Sequence, residues 1–249
     1  MATDVAIQIV NYKTKAFLEP LVASIIKDLE HSGLEVDINI LDNASGDDLE
    51  QLGQKWHNRR VHIYTSARNG GFGAGHNTLA HKTNAPYLLI LNPDMLFFEP
   101  HTIERLLETS RSTGAAVVGP RLLTPKSRAH TMLEEVSADQ LKQQPWDHGK
   151  HGIWRYHLDN QEVEVVWVSG AAFLIRHDVF KAVGGFDNKF FLYFEEVDLC
   201  YRLRRLGERV IYNPKIQLIH YGNAVAKKRS GYTIRSFIRL QLKRCTANF

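Results

Sequence analysis

The chain has 249 residues, 44% of them hydrophobic, so it can bury the core of one large α/β domain or two small ones. We expect one domain. Its two cysteines, Cys200 and Cys245, show no Cys-x-x-Cys spacing, which excludes a disulfide framework or a thiolate zinc site and fits a reducing cytoplasm. The sequence lacks the features of a signal peptide, and no run approaches about 20 apolar residues. We therefore expect a cytoplasmic chain without a membrane span.

The formal net charge of +4 conceals an asymmetry between the body of the chain and its C-terminal end. No Asp or Glu follows Glu208, whereas nine Lys or Arg do, so the remaining 22 basic residues stand against all 27 acidic ones. A basic tail on an acidic body indicates an anionic partner surface, either phospholipid or nucleic acid. We predict a main domain at residues 1–222 and a separate basic amphipathic segment at residues 223–249.

Within this segment the cations Arg235, Arg239 and Lys243 recur every four residues. The apolar side consists of Ile234, Phe237, Ile238 and Leu242. Such a helix could lie on an anionic membrane interface, or it could pack its apolar side on the body and leave its charges in solvent. Nucleic-acid binding is a third alternative that we do not favour.

Apolar strands alternate with segments of helical periodicity along the first part of the chain. The predicted strands are residues 5–10, 36–41, 61–65 and 87–91. The predicted helices are a segment from about residue 17 to Gly33, residues 47–56 and residues 74–82. This alternation implies right-handed parallel crossovers, and so an α/β fold with a mainly parallel central sheet.

The periodicity disappears between residues 125 and 164, where the sequence becomes polar and rich in His, Gln and Trp. This composition predicts a long functional loop. Order resumes at residues 165–176, a turn is predicted at Gly184-Gly185, and a helix is predicted at residues 195–206.

The predicted strand at residues 87–91 is apolar throughout, as expected for a central strand buried on both faces. Pro93 fixes its own φ at about −65°, so Asp94 is held at a defined place just outside the sheet, where ligands bind. One carboxylate binds Mg²⁺ or Mn²⁺ poorly, so diphosphate oxygens, water and another protein ligand would be needed. His220 is the candidate, and a structural histidine is the alternative.

Other polar residues end the neighbouring predicted strands. Asn11 follows the first strand, and Asp42 and Asn43 follow the second. A nucleotide base and ribose would fit there, with Asp42 accepting a hydrogen bond from a base imide or a ribose hydroxyl. The alternative is an ordinary Asx-rich turn.

A glycine-rich loop at residues 68–75 contains Asn69, Gly70 and Gly71 and opens a predicted helix. Its backbone could approach a ligand closely, and its N–H groups could face an anion. The spacing is not a dinucleotide fingerprint, because neither Gly71 nor Gly73 starts a full Gly-x-Gly-x-x-Gly. A purely structural role stays open.

Three acids, Glu195, Glu196 and Asp198, begin the predicted helix, where the macrodipole favours negative charge. The aromatic run at residues 190–194 provides an apolar approach that would raise the pKa of a carboxylate toward working pH. We expect Asp198 to pair with Arg202, four residues further on, which leaves Glu196 or Glu195 to act as a base.

Six motifs occur in one order between residues 5 and 222: Asn11-Tyr12, Asp42-Asn43-Ala44-Ser45, Asn69-Gly70-Gly71-Phe72-Gly73, Asn92-Pro93-Asp94, Gly170-Ala171 and the run from Phe191 to Cys200. Together they resemble inverting family-2 glycosyltransferases with the GT-A fold, particularly the rhamnosyltransferase-like branch. The resemblance implies metal-dependent transfer of a sugar from a nucleoside-diphosphate sugar, dTDP-rhamnose or a UDP-sugar, to a hydroxyl of a glycan or lipid-linked glycan.

The same resemblance assigns roles to individual residues. It implies that Asp42 contacts the donor base and that Asn92-Pro93-Asp94 replaces the Asp-x-Asp metal motif. Asp94 then keeps the essential acid, and His220 is a further metal ligand. Glu196 occupies the place of the catalytic base, where relatives often carry Asp, and Glu195 is its rival.

The acceptor side is assigned to two parts of the chain. By resemblance, Gly170 and Ala171 would border the acceptor. We interpret Trp146 and Trp154, in the loop at residues 125–164, as acceptor-side surface because aromatic groups stack on sugar rings; an ordinary mobile loop is the alternative. A lipid-linked acceptor would favour a peripheral position on the inner face of the cytoplasmic membrane.

Two rival functions were compared with this interpretation. A sugar-nucleotide pyrophosphorylase normally carries a glycine-rich loop with Arg and Lys after its first strand, whereas this chain has Asn11-Tyr12-Lys13-Thr14. A non-catalytic nucleotide-sugar-binding homologue would show no acceptor-dependent release of nucleoside diphosphate.

Overall fold

The computed structural model describes residues 2–126, 141–143, 148–150, 153–154, 161–222 and 230–246, with the backbone alone at residues 142–143, 148–150, 153–154, 230 and 244–246. The strands are β1 (Val5–Asn11), β2 (Val36–Asp42), β3 (Val61–Thr65), β4 (Tyr87–Leu91), β5 (Met95–Leu96), β6 (Val117–Pro125), β7 (Leu141–Gln143), β8 (His148–Lys150), β9 (Ile153–Trp154), β10 (Val163–Glu164), β11 (Trp167–Val168), β12 (Ala172–Arg176) and β13 (Val210–His220). The α-helices are α1 (Lys15–Asp28), α2 (Glu50–Trp56), α3 (Phe72–Ala80), α4 (Thr102–Thr113), α5 (His177–Ala182), α6 (Glu195–Arg205) and α7 (Ser230–Thr246).

Four strands form a parallel half of the main sheet in the order β3-β2-β1-β4. The register places Asn11 beside Asp42, and Asp42 beside Thr65. The strands predicted at residues 61–65 and 87–91 are confirmed with those bounds. Those predicted at residues 5–10 and 36–41 are each extended by one polar residue. The carboxyl ends of these strands therefore share one edge, as expected for a parallel sheet.

The sheet becomes mixed beyond β4. β12 runs antiparallel to both β4 and β6, while β6 runs parallel to β13. The short strands β5, β7 and β10 add antiparallel pairs. The predicted α/β class is confirmed, and its parallel character is concentrated in the half that contains β1 to β4.

The central strand β4 is buried on both faces, as its apolar sequence predicted. Leu89 and Leu91 pack in a hydrophobic cluster that includes the buried side of α1, whereas Leu88 and Ile90 pack in a second cluster that includes residues of α6. Side chains alternate along a strand, so the two clusters lie on opposite faces of the sheet. Helices thus cover both faces, and α6, which carries the acids, packs on one of them.

Residues 125–164 contain more regular structure than the sequence predicted. The described parts of this stretch include β7, β8, β9 and β10, each two or three residues long. β7 pairs with β6, β10 pairs with β13, and β8 pairs with β11 in a separate three-stranded sheet. Strands this short show no periodicity, because distant partners stabilise them rather than their own sequence pattern.

The C-terminal helix α7 contacts the body through Leu240, which is buried in the second hydrophobic cluster, and through several polar side chains. Ser236 Oγ donates to the carbonyl of Leu192 at 2.8 Å. Arg239 and Lys243 both donate to the carboxylate of Asp187, at 2.7 and 3.0 Å. The packing alternative predicted from the sequence placed the apolar side on the body, and the structure shows the reverse.

Four other apolar residues of α7 are largely exposed. Ile234, Phe237, Ile238 and Leu242 are 58%, 48%, 51% and 61% exposed. In the part of the chain that the structure describes, no helix is both long and apolar enough to cross a membrane. The division of the chain at residue 222 stays a prediction.

Candidate functional site

Asn11, the last residue of β1, organises the polar edge of the sheet. Its side-chain amide donates to Asp42 Oδ1 at 2.9 Å, to Asp47 Oδ2 at 3.0 Å and to Ser45 Oγ at 3.2 Å. Its amide oxygen accepts from Thr14 Oγ1 at 2.6 Å. Asp47 was not predicted as a site residue, because the sequence placed it at the start of a predicted helix, directly after the Asx-rich turn. The strand ends are therefore joined by one hydrogen-bond network.

Asp42 is buried and already well supplied with donors. Oδ1 accepts from Asn11 and from the Ser45 hydroxyl, and Oδ2 accepts from the Ser45 backbone N–H at 3.2 Å. A carboxylate offers about four acceptor positions, so one remains for a ligand. Asp42 also lines a groove of about 760 Å³ with Asp47 and Thr65. The groove lies at the ends of β2 and β3, which is the side on which a ligand of an α/β sheet binds.

The glycine-rich loop is held by the side chains of Asn43 and Asn69. Asn43 donates to Asn69 Oδ1 at 3.0 Å and to the Gly71 carbonyl at 3.1 Å. The backbone N–H of Gly70 donates to Asn43 Oδ1 at 3.2 Å, and that of Gly71 donates to Asn69 Oδ1 at 2.9 Å. These N–H groups are used within the protein, so they do not face an anion as the sequence allowed. Asn43 and Asn69 instead fix the loop beside the groove.

Gly71 joins this edge to the loop that precedes α6. Its φ is +90°, in the region that favours glycine, and a Cβ there would overlap the carbonyl oxygen of Phe191. The next backbone N–H, that of Phe72, donates to the same oxygen at 3.0 Å. The glycine is therefore required by close packing between two backbone segments.

Asp94 and His220 lie together at a second point on the edge. The structure places His220 Nε2 3.3 Å from Asp94 Oδ1, and Asn92 Nδ2 3.4 Å from the same ring nitrogen. Two backbone contacts fix the pair, since the N–H of Tyr221 donates to the Asp94 carbonyl at 3.0 Å and His220 pairs with Met95 across β13 and β5. Two residues that are far apart in sequence thus present an oxygen and a nitrogen ligand at one place.

The donor atoms of the Asp94 and His220 pair determine whether it could hold a metal ion. Among the residues that the structure describes, no group of three or more His, Cys, Asp or Glu side chains could hold a metal ion. A carboxylate and an imidazole suit Mn²⁺, and a carboxylate suits Mg²⁺, but both ions need further oxygen ligands. The residues fit a metal that is also held by substrate oxygens and water.

Gly170 and Ala171 lie between the Asp94 pair and the acids of α6. The Ala171 carbonyl accepts from the backbone N–H of Asn92 at 2.8 Å. On the other side, a Cβ on Gly170 would lie 3.4 Å from the side chain of Glu196, and the Gly170 N–H hydrogen-bonds the Glu196 carboxylate. Asn92, two residues before Asp94, and Glu196 therefore both contact one short backbone segment.

Burial controls the chemistry of the two glutamates at the start of α6. Glu195 is 3% exposed, and its Oε2 has no hydrogen-bond partner among the described residues. Burial, together with the neighbouring charge of Glu196, raises the pKa of Glu195 well above its ordinary value. Burial also raises the pKa of Glu196, to about 7, although the backbone N–H groups around it oppose this shift. Glu196 is the less buried of the two, and it faces Gly170.

The residues before Glu195 adopt an unusual backbone. Tyr193 and Phe194 both have positive φ, of 72° and 69°. Left-handed conformations cost a non-glycine residue roughly 1–2 kcal/mol, and they cluster at functional sites where the surrounding structure over-determines them. Here they turn the chain sharply into α6 and so fix the positions of Glu195 and Glu196 at the start of that helix.

The third acid, Asp198, has a structural partner as expected. Arg202 Nε donates to its Oδ2 at 2.8 Å, which confirms the predicted pair. Lys243 of α7 donates to Oδ1, a contact that no sequence pattern indicated because 45 residues separate the two positions. Asp198 is therefore neutralised from two sides, and the remaining acids of this helix start are Glu195 and Glu196.

The two aromatic residues predicted on the acceptor side belong to the stretch at residues 125–164. Trp146 lies outside the described residues, and the structure gives only the backbone of Trp154, in β9. Both assignments stay predictions.

Comparison with known proteins adds evidence that is independent of this geometry. The model of the glycosyl transferase family 2 matches residues 6–184. The match contains Asn11, Asp42, Asp94 and Gly170, whereas Glu196 and His220 lie beyond it.

Two relatives with described activities align along most of the chain. An N-acetylglucosaminyl-diphospho-decaprenol L-rhamnosyltransferase of Mycobacterium tuberculosis is 28% identical over 236 residues, which cover 85% of this chain and 74% of that protein. The low-salt glycan biosynthesis hexosyltransferase Agl10 of Haloferax volcanii is 27% identical over 239 residues, covering 88% of this chain and 68% of that protein.

The fold is shared with a solved glycosyltransferase. The crystal structure of GalNAc-T7 with UDP, GalNAc and Mn²⁺ superposes with a TM-score of 0.74 at 15% identity, covering 96% of this chain and 47% of that one. This similarity confirms the predicted GT-A fold.

Proposed function

This chain belongs to glycosyltransferase family 2, and we propose that it transfers a sugar, with inversion, from a nucleoside-diphosphate sugar to a hydroxyl of a glycan or lipid-linked glycan. The donor is dTDP-rhamnose or a UDP-sugar. The observation that carries the proposal is the position of Glu196, which faces Gly170 at the start of α6. The next residue, Ala171, accepts a hydrogen bond from the backbone of Asn92, two residues before Asp94. The rhamnosyltransferase relative at 28% identity supports the choice of donor.

Glu196 acts as the general base in this proposal. It removes the proton of the acceptor hydroxyl, whose oxygen attacks the anomeric carbon from the face opposite the leaving diphosphate. The bond to the departing phosphate oxygen breaks, and configuration inverts in one step. A carboxylate with a pKa of about 7 is suited to this role, because it is a stronger base than an ordinary one and is still ionised near neutral pH. Glu195 is more deeply buried, and the charge of Glu196 raises its pKa further.

Asp94 and His220 would hold Mg²⁺ or Mn²⁺ together with the donor diphosphate and water. When bound, the ion neutralises charge that develops on the departing diphosphate. The GalNAc-T7 structure contains Mn²⁺, which supports a divalent ion for this fold. Asn92 contacts the His220 ring and helps orient it.

The donor nucleotide is assigned to the edge formed by β1, β2 and β3. Asn11 fixes the carboxylates of Asp42 and Asp47, and Asp42 keeps one acceptor position for a base or ribose donor. Asn43, Asn69, Gly70 and Gly71 form the adjoining wall through their mutual hydrogen bonds. This edge orients the nucleotide, while the reacting atoms lie between Asp94 and Glu196.

Gly170 and Ala171 border the acceptor, since the bare backbone at Gly170 leaves room in front of Glu196. The Mycobacterium relative is named for an acceptor that carries a polyprenyl diphosphate. We assign the same class, a lipid-linked glycan, to this chain. Such an acceptor places the enzyme at the cytoplasmic face of a membrane, where an anionic surface is a partner of the C-terminal segment.

The test is a donor screen that needs no acceptor. The chain is incubated with a panel of nucleotide sugars, with and without Mn²⁺, and thermal stabilisation and slow donor hydrolysis are measured. We expect one donor class to stabilise the chain, more strongly with Mn²⁺, and Asp94→Asn to remove the metal-dependent part alone. No stabilisation and no hydrolysis by any nucleotide sugar would refute the proposal.

A further inference from the structure

We propose that the exposed apolar stripe of α7, formed by Ile234, Phe237, Ile238 and Leu242, enters the interface of an anionic membrane and holds the acceptor side of the site against it. The inference rests on the proposed function, because it assumes a lipid-linked acceptor. It specifies which side of the predicted interfacial helix meets lipid: the apolar stripe does so, whereas Arg239 and Lys243 bind the body.

The first step is the orientation of the helix. Residues 234, 238 and 242 recur every four positions, so they share one face of α7, with Phe237 beside them. Their side chains are 48–61% exposed, which is unusual for four large apolar residues on one helix. The opposite face carries Ser236, Arg239 and Lys243, all bonded to the body. The exposure of the stripe therefore follows from how the helix is fixed.

The second step concerns the cations. Arg239 and Lys243 are paired with Asp187, and Lys243 is also paired with Asp198. Their charge is neutralised by the body, so they do not attract lipid. Arg235, next to the stripe, is exposed, and no ion pair to it is found among the described residues. No Asp or Glu follows Glu208 to repel an anionic surface. The helix therefore presents an apolar stripe with a basic margin, the pattern of interfacial helices.

The third step is the location of α7 beside the aromatic residues that precede Glu195 and Glu196. Tyr232 stacks on Phe191 with ring centroids 4.8 Å apart, and the Phe237 ring lies 5.9 Å from that of Phe194. Phe194 directly precedes Glu195 and Glu196. A membrane under the stripe would therefore lie close to the acceptor side of the site.

A lipid surface fits the stripe better than a second copy of the chain. Each partner in a stable protein dimer buries roughly 800 Å². Four side chains on one face of a single helix provide much less than that, whereas an interfacial helix needs only to place its apolar face in the headgroup region. Anionic lipid also matches the exposed charge of Arg235 beside the stripe.

The experiment measures binding of the full chain to vesicles of phosphatidylcholine alone and of equal parts phosphatidylcholine and phosphatidylglycerol. Cosedimentation is compared for wild type, the double variant Ile234→Gln/Ile238→Gln, Lys243→Gln and the control Leu206→Gln. Leu206 is 63% exposed but lies at the end of α6. Donor hydrolysis and analytical ultracentrifugation are run on the same samples without lipid.

We expect wild type to bind the anionic vesicles, and the double variant to bind them at least about tenfold more weakly. Leu206→Gln and Lys243→Gln should bind as wild type does, although Lys243→Gln should melt at a lower temperature. The inference would be overturned if the double variant bound anionic vesicles as strongly as wild type, or if wild type did not bind them. Loss of a dimer in the double variant without a change in vesicle binding would also overturn it.

Donor hydrolysis separates this inference from the proposed function. The double variant should hydrolyse donor as wild type does, because its substitutions lie outside the site. Absence of vesicle binding with intact hydrolysis would refute only the membrane surface. Vesicle binding without any nucleotide-sugar activity would refute only the proposed function.

Discussion

The two acidic parts of the site differ in how their carboxylates are supported. At the sheet edge, burial of Asp47 is outweighed by hydrogen bonds from Asn11 and the Lys15 N–H, which hold its pKa below the ordinary value. At the start of α6, burial dominates and raises the pKa of both Glu195 and Glu196. The first region keeps fixed negative charges that suit recognition of a ligand. The second contains a carboxylate, that of Glu196, whose pKa of about 7 lets it exchange protons near neutral pH, as general bases do.

The largest effect is expected when the second region loses its base. Glu196→Gln keeps the size of the side chain and removes its ionisation, so acceptor-dependent release of nucleoside diphosphate should fall about 10²- to 10⁴-fold. Donor affinity, measured by calorimetry, should stay within about twofold. Glu195→Gln is the matched control and should retain much more activity. The reverse order of the two variants would assign the base to Glu195.

The second largest effect is expected where the glycine-rich loop at the sheet edge packs on the segment before α6. Gly71→Ala places a Cβ against the Phe191 carbonyl at a φ of +90°, so the loop must shift. We expect unfolding by denaturant to show a loss of about 3 kcal/mol or more, together with lower activity.

Gly207→Ala is the matched control, because it introduces a Cβ at a positive φ without the steric overlap that occurs at Gly71. The φ of Gly207 is +82°, but nothing lies within 4 Å of an added Cβ. It should cost only about 1 kcal/mol. Equal losses in the two variants would mean that contact between the regions contributes nothing.

A smaller effect is expected at the sheet edge. Asn11→Ala removes the donor shared by Asp42, Ser45 and Asp47. Leaving the buried Asp42 carboxylate without this donor should cost roughly 1–3 kcal/mol of stability and weaken donor binding, with kcat changed less than donor KM. Asn39→Ala, at a buried asparagine within β2, should lower stability without affecting donor KM. Equal donor KM values in both variants would argue against a role of this edge in binding.

The mildest perturbation is pH. Because the pKa of Glu196 is about 7, kcat/KM should decrease about tenfold per pH unit below that value, and Glu196→Gln should lose this dependence.

The stability of the fold should change with pH in the opposite direction, and decrease as pH rises. Carboxyls with a raised folded-state pKa favour the fold at low pH and lose that contribution as pH rises through about 7. Thermal melting at several pH values should therefore show the wild-type midpoint falling across this range. Glu195→Gln should reduce the fall.

Much of the site was predictable because it depends on strand ends. The apolar runs at β1, β2 and β4 predicted a parallel edge, and Asn11, Asp42 and Asp94 lie on it. The Asp198 to Arg202 pair was predictable for a similar reason, since four residues are one helical turn. The role of Asp47, the use of Gly71 in backbone packing and the contact of Asp187 with α7 gave no usable sequence signal.

The sequence by itself determined which elements form and which polar residues end them, because hydrophobic periodicity and turn chemistry act over a few residues. The tertiary structure decided how remote segments meet. It set Asp94 against His220, Glu196 against Gly170, and the charged side of α7 against Asp187 and Asp198. The orientation of α7 depends on ion pairs across about 50 residues, and an amphipathic pattern alone cannot say which face a helix presents to its own protein. The ion pairs that orient α7 form only once the body has folded and brought Asp187 and Asp198 next to it.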